Sequence, residues 1–150
     1  MPAIKEKLFV LCMEYVEDRI RTAQQGILSA KEASVNDTKS SAGDKYETTR
    51  EMMQQEVSFN EVQLFEARKL KHVLRQINPS RQCAVAETGS LVLTDKGNFF
   101  IAVSAGSFSI DEERYFVVSA ASPVAKILAG LKQGDKTSFN GKEFTVIAVE

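Results

Sequence analysis

The chain has 150 residues, of which 43% are apolar and 26% charged, and its formal net charge is −1. This composition fits a globular protein of one ordinary domain or two small ones. Direct, non-specific binding to nucleic acid usually shows as a basic surplus, so any role with DNA or RNA is expected to run through a protein partner. No run of about 18 apolar residues predicts a membrane span. The charged N-terminal stretch is not typical of a signal peptide, so we expect a cytoplasmic location.

The residue types that carry most enzyme chemistry are sparse. Cys12 and Cys83 lie far apart, fit no metal or redox spacing, and are expected to be reduced, buried thiols. The only histidine, His72, lies in a charged segment that predicts a solvated helix face. Ser122 has no histidine within reach by sequence, so the pattern does not indicate a nucleophilic enzyme.

Two seams of apolar residues predict two long helices in the first half of the chain, because their steps of three and four form heptads. The first seam runs through Phe9, Met13, Val16, Ile20, Ala23, Ile27 and Ala30. Near its start the apolar face is wider, which indicates contact with another surface, through Leu8, Leu11, Cys12 and Tyr15. The second seam runs through Met53, Val57, Asn60, Leu64, Ala67, Leu70, Leu74 and Ile77.

The segment Ser34–Gly43 separates the seams and is rich in residues that favour turns and caps. Two heptad helices joined by a short polar loop fold back on each other, so residues 1–78 are predicted to form an antiparallel coiled-coil hairpin. With roughly 28 to 32 residues per helix, this hairpin is on the order of 40 to 45 Å long. Each helix buries only one stripe, so most of the hairpin is expected to face solvent or a partner.

The pattern changes at Asn78-Pro79, which ends the second helix. Residues 79–150 alternate as strands do, and we predict strands at 83–86, 90–94, 98–103, 115–119 and 144–149. The pair Asn140-Gly141 is a strong hairpin signal.

One short helix interrupts these strands. It is predicted over Val124–Leu131, with Ser122 as its N-cap and Pro123 at its first position. The predicted fold class is therefore α+β: a helical hairpin followed by an antiparallel β domain with one short helix.

The stretch 119–135 resembles the C-terminal signature of the Gre family of transcript-cleavage factors. The family's pattern is a strand, then Ser-x-x-Ser-Pro, a short apolar helix with a basic residue, and then Gly and Gly-Asp. The matching residues are Ser119, Ser122, Pro123, Lys126, Gly130, Gly134 and Asp135. The stretch 141–149 resembles the family's closing strand, and the order of hairpin and sheet also agrees, so the resemblance covers nearly the whole chain.

The resemblance implies an FKBP-like fold for residues 79–150 and docking of this domain at the rim of the secondary channel of bacterial RNA polymerase. The hairpin would enter the channel and approach the RNA 3′ end only indirectly. The polymerase contact is implied for Ala120, Ala121, Ser122 and Pro123. The implied function is to stimulate the polymerase's own cleavage of backtracked RNA. The chain itself is then no enzyme, and neither a membrane nor a small-molecule substrate is expected.

The family's hairpin tip reads Gly-Asp-x-x-Glu-Asn-Ala-Glu-Tyr, and the matching stretch here is 43–51. Asp44 and Glu47 match the two acids that, by resemblance, help to hold a Mg²⁺ ion shared with the polymerase active site. No tightly bound cofactor is expected. Residues three apart share a helix face, and Mg²⁺ often takes only one or two carboxylates from a protein. The sequence departs from the family at the four positions that follow, which are Thr48, Thr49, Arg50 and Glu51.

Other interpretations of these residues stay open. Asp44 and Glu47 also fit a capping box, and acids suit the first turn of any helix. A basic stretch near the end of the second helix is typical of a solvated face, although it could face RNA or a channel wall; it comprises Arg68, Lys69, Lys71 and Arg75. Two other functions also remain: a channel-binding regulator that does not stimulate cleavage, and an FKBP-like interaction module that does not bind polymerase.

Overall fold

The structure is a computed structural model that describes residues 3–40 and 44–150, without the side chains of residues 34, 36–40 and 44–46. The chain divides into two compact units. One unit holds the first 14 residues together with His72–Glu150, and the other holds Tyr15–Lys71. Each unit is described by itself below.

Two long helices form the N-terminal half of this α+β fold. Helix α1 spans Ile4–Ser40, with 37 residues, and α2 spans Asp44–Arg75, with 32. The predicted loop over Ser34–Gly43 was therefore too long, because helical structure continues to Ser40. No proline or glycine lies between Gly26 and Gly43, so nothing in the backbone forces an earlier end. Residues 41–43 lie outside the described part of the chain.

Within the unit Tyr15–Lys71 the two helices run antiparallel and pack along the predicted seams. Lys71 Nζ lies 2.7 Å from Glu17 Oε1, and further along the pair Gly26 lies against the side chain of Asn60. Among the side chains that the structure describes in this unit, the buried ones all belong to the predicted seams; they are Val16, Ile20, Ala23, Ala30, Val57 and Ala67. The heptad pattern thus identified the contact face of both helices here.

The start of α1 and the end of α2 belong to the other unit. Before Val16 the buried stripe of α1 is not Phe9 and Met13, as the seam predicted, but Leu8 and Cys12. Lys5 is also buried, and its Nζ donates to the carbonyl of Arg81 at 2.5 Å. The start of α1 is therefore buried within this unit, as its wider apolar face predicted.

The sheet of this unit has six strands in the order β3-β4-β2-β1-β6-β5. Their bounds are β1 Leu91–Thr94, β2 Gly97–Ala102, β3 Gly106–Ile110, β4 Glu113–Ser119, β5 Lys136–Phe139 and β6 Lys142–Val149. The sheet is mixed, which corrects the wholly antiparallel prediction, because β2 and β4 are parallel neighbours. The hairpin β3–β4 folds back so that β4, and not β3, pairs with β2.

One further prediction about strands was wrong, and two strands were not predicted. The segment 83–86 is not a strand, because its backbone bonds go elsewhere: Ala86 N donates to Leu131 O, and Ala86 O accepts from Gly130 N, both at 2.8 Å. The strands β3 and β5 were not predicted. They are the two edges of the sheet, and neither contains a fully buried residue.

A short helix, α3, spans Pro123–Leu128 and packs on one face of the sheet. Its buried residues Ala125 and Leu128 join the core cluster on that face, whose other buried members are Ala86, Val92, Phe99, Ile101, Phe144 and Val146. The predicted cap is confirmed, because Ser122 is the N-cap residue and Pro123 the first helical residue.

Among the described residues, no helix combines the length and apolar character needed to cross a membrane.

Candidate functional site

The candidate residues fall into two groups. Ala120, Ala121, Ser122 and Pro123 connect β4 to α3 in the sheet unit. Asp44 and Glu47 belong to the first turn of α2 in the helical unit.

The β4–α3 connection is a tight turn fixed by the Ser122 hydroxyl. Ser122 N donates to Ser119 O at 3.0 Å, and Ser122 Oγ donates to the same carbonyl at 2.8 Å. The hydroxyl also accepts from Ala125 N at 3.3 Å, which satisfies one of the free amides at the start of α3. One side chain therefore joins the strand end, the turn and the helix start.

This turn presents small apolar groups to solvent. Ala120, Ala121 and Pro123 are exposed, whereas Ser122 is half-buried beneath them. Because Ser122 already donates and accepts within the turn, its hydroxyl is committed to local structure. A partner that binds here would therefore contact the methyl groups and the proline ring, which are held in place by the serine.

At the tip of the helical unit the structure describes only part of the predicted acidic pair. The backbone of Asp44 is the first residue of α2, but its side chain lies outside the described residues. Glu47 is exposed one turn into the helix. Because Glu47 follows Asp44 by three residues, the two residues lie on the same side of the helix.

Magnesium ligation can be tested against these residues. The described part of the chain contains no group of three Asp, Glu, His or Cys side chains that could hold a metal ion. One or two exposed carboxylates in a first helical turn suit a different role, in which they add ligands to a site formed mainly by another protein. Asp44 and Glu47 fit that role in residue type and spacing.

The basic stretch on α2 is partly neutralised within the chain. Lys71 pairs with Glu17 at 2.7 Å, and Lys69 lies 3.4 Å from Glu66 Oε1. Lys69 Nζ also lies 4.8 Å from the centroid of the Phe65 ring. These contacts favour a structural role for both lysines over a role in binding a polyanion.

The outer side of α2 carries an apolar surface that the heptad seams did not predict. Phe59, Val62 and Phe65 are 63%, 56% and 60% exposed, all within the helical unit. Their spacing of three residues was visible in the sequence, but it lies outside the heptad seam and was not singled out. Large exposed apolar groups that cluster on one element often mark an interaction surface.

A comparison of the sequence with protein-family models and with curated proteins finds no match.

Proposed function

We propose that this chain is a Gre-type elongation factor, which binds bacterial RNA polymerase and stimulates cleavage of backtracked RNA by the polymerase. The observation that carries the proposal is the Ser119–Pro123 turn, whose sequence resembles the family's docking motif and whose small exposed groups are rigidly held by Ser122. The proposal includes an FKBP-like fold for the sheet domain, a coiled-coil packing of α1 on α2, and a cytoplasmic location.

The helical pair supports a role for the two acids, because it is long and carries them near one end. At 1.5 Å per residue, α2 is about 48 Å long, and only three residues separate its start from the end of α1. Asp44 and Glu47 therefore lie near the end of the helical pair at which α2 begins. A pair of long helices can enter a channel, and we assign this pair to the secondary channel of the polymerase.

The proposed chemistry uses this chain's carboxylates as supplementary ligands. Asp44 and Glu47 would hold a Mg²⁺ ion together with ligands of the polymerase. When bound, the ion supplies charge stabilisation for the attacking water and the scissile phosphate. The two carboxylates of this chain would orient the ion and neutralise part of its charge, and the helices would hold the carboxylates in position.

A second candidate is a channel-binding regulator that does not stimulate cleavage. The observation in its favour is the sequence after the acids, where Thr48, Thr49, Arg50 and Glu51 differ from the family's tip. This candidate shares the docking turn with the first, so binding experiments do not separate the two.

Cleavage in stalled elongation complexes tests the chemistry. The double variant Asp44→Asn/Glu47→Gln keeps side-chain shape and removes both charges, so we expect it to bind polymerase and to lose stimulated cleavage, because a contact made in the transition state affects rate rather than ground-state affinity. The control is Glu51→Gln, which removes an exposed charge on the next turn. Full cleavage by the double variant would refute the metal role, and no cleavage by the wild type would favour the regulator.

Docking is tested separately by charge on the turn. Ala120→Glu/Ala121→Glu places two carboxylates on exposed methyl positions without touching the Ser122 hydrogen bonds, and we expect it to abolish co-migration with polymerase. The control is Ala129→Glu, which adds a charge at an exposed alanine directly after α3. If wild-type protein does not bind core polymerase at all, the proposal fails and the interaction-module alternative is favoured.

A further inference from the structure

Strand β3 is an edge of the sheet, and its outward backbone groups are open to a further strand. It joins β4 through a two-residue turn, so Ile110 and Glu113 form the first hydrogen-bonded pair, and bonding alternates from there. Ser107 and Ser109 therefore direct their N–H and C=O groups away from β4. Both residues are exposed, and within the described part of the chain these outward groups make no hydrogen bond. Their spacing is the one that a neighbouring strand requires.

The two edges of the sheet differ in their protection against such pairing. Strand β5 carries Lys136, whose Nζ lies 3.6 Å from Glu143 Oε1 across the hairpin, and a charge on an edge strand discourages a further strand. Strand β3 reads Gly-Ser-Phe-Ser-Ile and has neither a charged residue nor a proline. Because natural sheets usually protect an edge of this kind, its openness favours β3 as the place where a further strand binds.

An apolar groove borders this edge within the same compact unit. One wall is the start of α1, with Val10 and Leu11, and the other is Ile110 at the end of β3; Glu6 and Lys7 also line the groove. Its volume of about 460 Å³ lies within the roughly 300 to 1,000 Å³ of ligand clefts. Since the side chains of a strand alternate between faces, every second residue of an added strand lies on the face of Ile110, where the groove can receive an apolar side chain.

The charge at this end of the sheet is negative. Three consecutive exposed acids form the β3–β4 turn and its exit: Asp111, Glu112 and Glu113. Burial raises the pKa of Tyr115, and the charges of Glu113, Glu150 and Asp111 raise it further, which indicates a negative potential beside the hairpin. Of the nearby cations, Lys7 shares the groove with Glu6, and Arg114 lies on the opposite face of the hairpin from Ile110. A ligand with a basic residue beside its apolar anchor is therefore favoured.

We propose that β3 and the groove beside it bind an extended segment of another protein, which adds to the six strands of the sheet as one more. The backbone of Ser107 and Ser109 pairs with the segment, and an apolar side chain of the segment fills the groove between Val10 and Ile110. A lysine or arginine beyond this anchor lies near the acidic turn. In this mode of recognition main-chain hydrogen bonds supply affinity, and side-chain pockets supply specificity.

A second copy of this chain is a poorer occupant of the edge. Its own β3 carries no basic residue that could lie near the acidic turn, and pairing of the two β3 strands would bring together two uncharged segments. The inference does not depend on the proposed function, because the groove and the edge lie apart in sequence from Asp44, Glu47 and the 119–123 turn.

Titration of the full chain with a synthetic peptide tests the proposal. The probe is Lys-Val-Thr-Val-Thr-Val-Lys, labelled with fluorescein at one end and amidated at the other. Its valines share one face, and its terminal lysines place a base near the turn in either strand direction. We expect saturable binding below about 1 mM by fluorescence anisotropy, and glutamate in place of both lysines should weaken binding by about threefold or more.

N-methylation of the peptide separates backbone pairing from side-chain contact. Methyl groups on alternate amides block one edge of the strand and leave the other edge intact. One alternating set should therefore abolish binding, and the other should leave the dissociation constant within about twofold of the unmodified peptide. Absence of saturable binding to the wild type, or equal effects of the two methylated sets, would overturn the proposal.

Matched substitutions in the chain identify the edge and the groove. Ser109→Pro removes an outward N–H that β4 does not use, and it should abolish binding. Ser138→Pro, at the same position before the turn of the other edge hairpin, should bind like wild type. Val10→Glu places a charge in the groove wall and should weaken binding about tenfold, whereas Ile147→Glu, at an equally exposed position of 54%, should have no effect.

Circular dichroism and thermal unfolding show whether each variant folds, and Val10→Glu decides the question if Ser109→Pro does not. Equal loss of binding in folded Ser109→Pro and Ser138→Pro, or full binding by Val10→Glu, would contradict the proposal. A dimer of the wild-type chain in sedimentation equilibrium that Ser109→Pro dissociates would assign the edge to a second copy and would also overturn it.

Discussion

Gly26 leaves no room for a side chain between α1 and α2. A Cβ built on Gly26 would lie 2.6 Å from Asn60 Oδ1 and 2.7 Å from Asn60 Cγ. The Asn60 amide donates to the carbonyl of Glu56 at 2.9 Å, so the side chain cannot move aside without giving up this bond. The glycine therefore permits a close approach of the two helices. This approach accounts for a glycine in the middle of a helix, where its low propensity is unfavourable.

We expect Gly26→Ala to destabilise the helical unit by about 1 to 2 kcal/mol, because the cost of overpacking exceeds the gain of about 1 kcal/mol in helix propensity. The double variant Gly26→Ala/Asn60→Ala removes the obstructing amide and should recover at least wild-type stability. Urea unfolding of both single variants and the double variant gives the coupling between the two sites. A single Gly26→Ala variant more stable than wild type would show that Asn60 moves freely.

Cys12 should make the protein less stable in alkali. Burial raises the pKa of its thiol from 9.0 to about 12, so between these values the unfolded chain loses a proton that the folded chain keeps. Unfolding is then favoured as pH rises, and we expect a loss of about 1 kcal/mol between pH 9 and pH 10. Urea unfolding of wild type and Cys12→Ala over this range isolates the effect, because other groups titrate in both. Parallel curves would contradict the prediction.

Two hairpins in the sheet reach the same turn geometry with different residues. The β5–β6 turn uses Asn140 and Gly141 at φ 51° and 77°, as its sequence predicted. The β3–β4 turn uses Asp111 and Glu112 at φ 51° and 68°, although neither residue is glycine. Two-residue hairpin turns with both φ values positive match the twist of the strands, so the sheet imposes this geometry on a sequence that does not favour it.

Replacement of Glu112 by glycine should therefore stabilise the sheet unit by about 1 kcal/mol, since a left-handed conformation costs an L-residue roughly that much and costs glycine little. The matched variant Gly141→Ala, at the corresponding turn position of β5–β6, should destabilise by a similar amount. Thermal unfolding of the two variants checks both signs. A loss of stability in Glu112→Gly would mean that the glutamate side chain makes a compensating contact.

Some elements of the sheet unit could not be predicted from local sequence patterns. Strands with buried residues, such as β2 and β6, were predicted because burial requires apolar residues that are visible in the sequence. Edge strands such as β3 bury little, and a turn without glycine gave no signal. The segment 83–86 alternates like a strand, but its hydrogen bonds to residues 130 and 131 depend on tertiary structure that no local pattern encodes.

The sequence predicted the structure around Ser122, but the functional roles of the other candidate residues stay untested. The Ser122 cap follows from local chemistry, since a serine before a proline favours a helix start, and the structure confirms it. The roles of Ala120 and Ala121 stay predictions, because an exposed methyl group has the same place in the fold whether or not a partner binds it. The roles of Asp44 and Glu47 also stay predictions, because a capping acid and a metal-binding acid favour the same position in a helix.

At the scale of the whole chain, the compact units do not coincide with a division into an N-terminal and a C-terminal half. The sheet unit includes the start of α1, where Leu8 and Cys12 are fully buried, and the end of α2, where Leu74 is fully buried. Both long helices therefore contribute to two units. A helix that passes from one unit to the other links their stabilities only as far as its own hydrogen bonds persist.

This division predicts that core substitutions act locally. Leu8→Ala should cost about 2 to 5 kcal/mol and speed amide exchange in strands β1 to β6, because Leu8 is fully buried in the sheet unit. Val57→Ala, at a buried position of the helical unit, should speed exchange within Tyr15–Lys71 and leave the strands protected. Hydrogen exchange resolved by residue distinguishes the two patterns. If each variant accelerates exchange equally throughout the chain, the molecule unfolds as one cooperative body, and the two units have no independent stability.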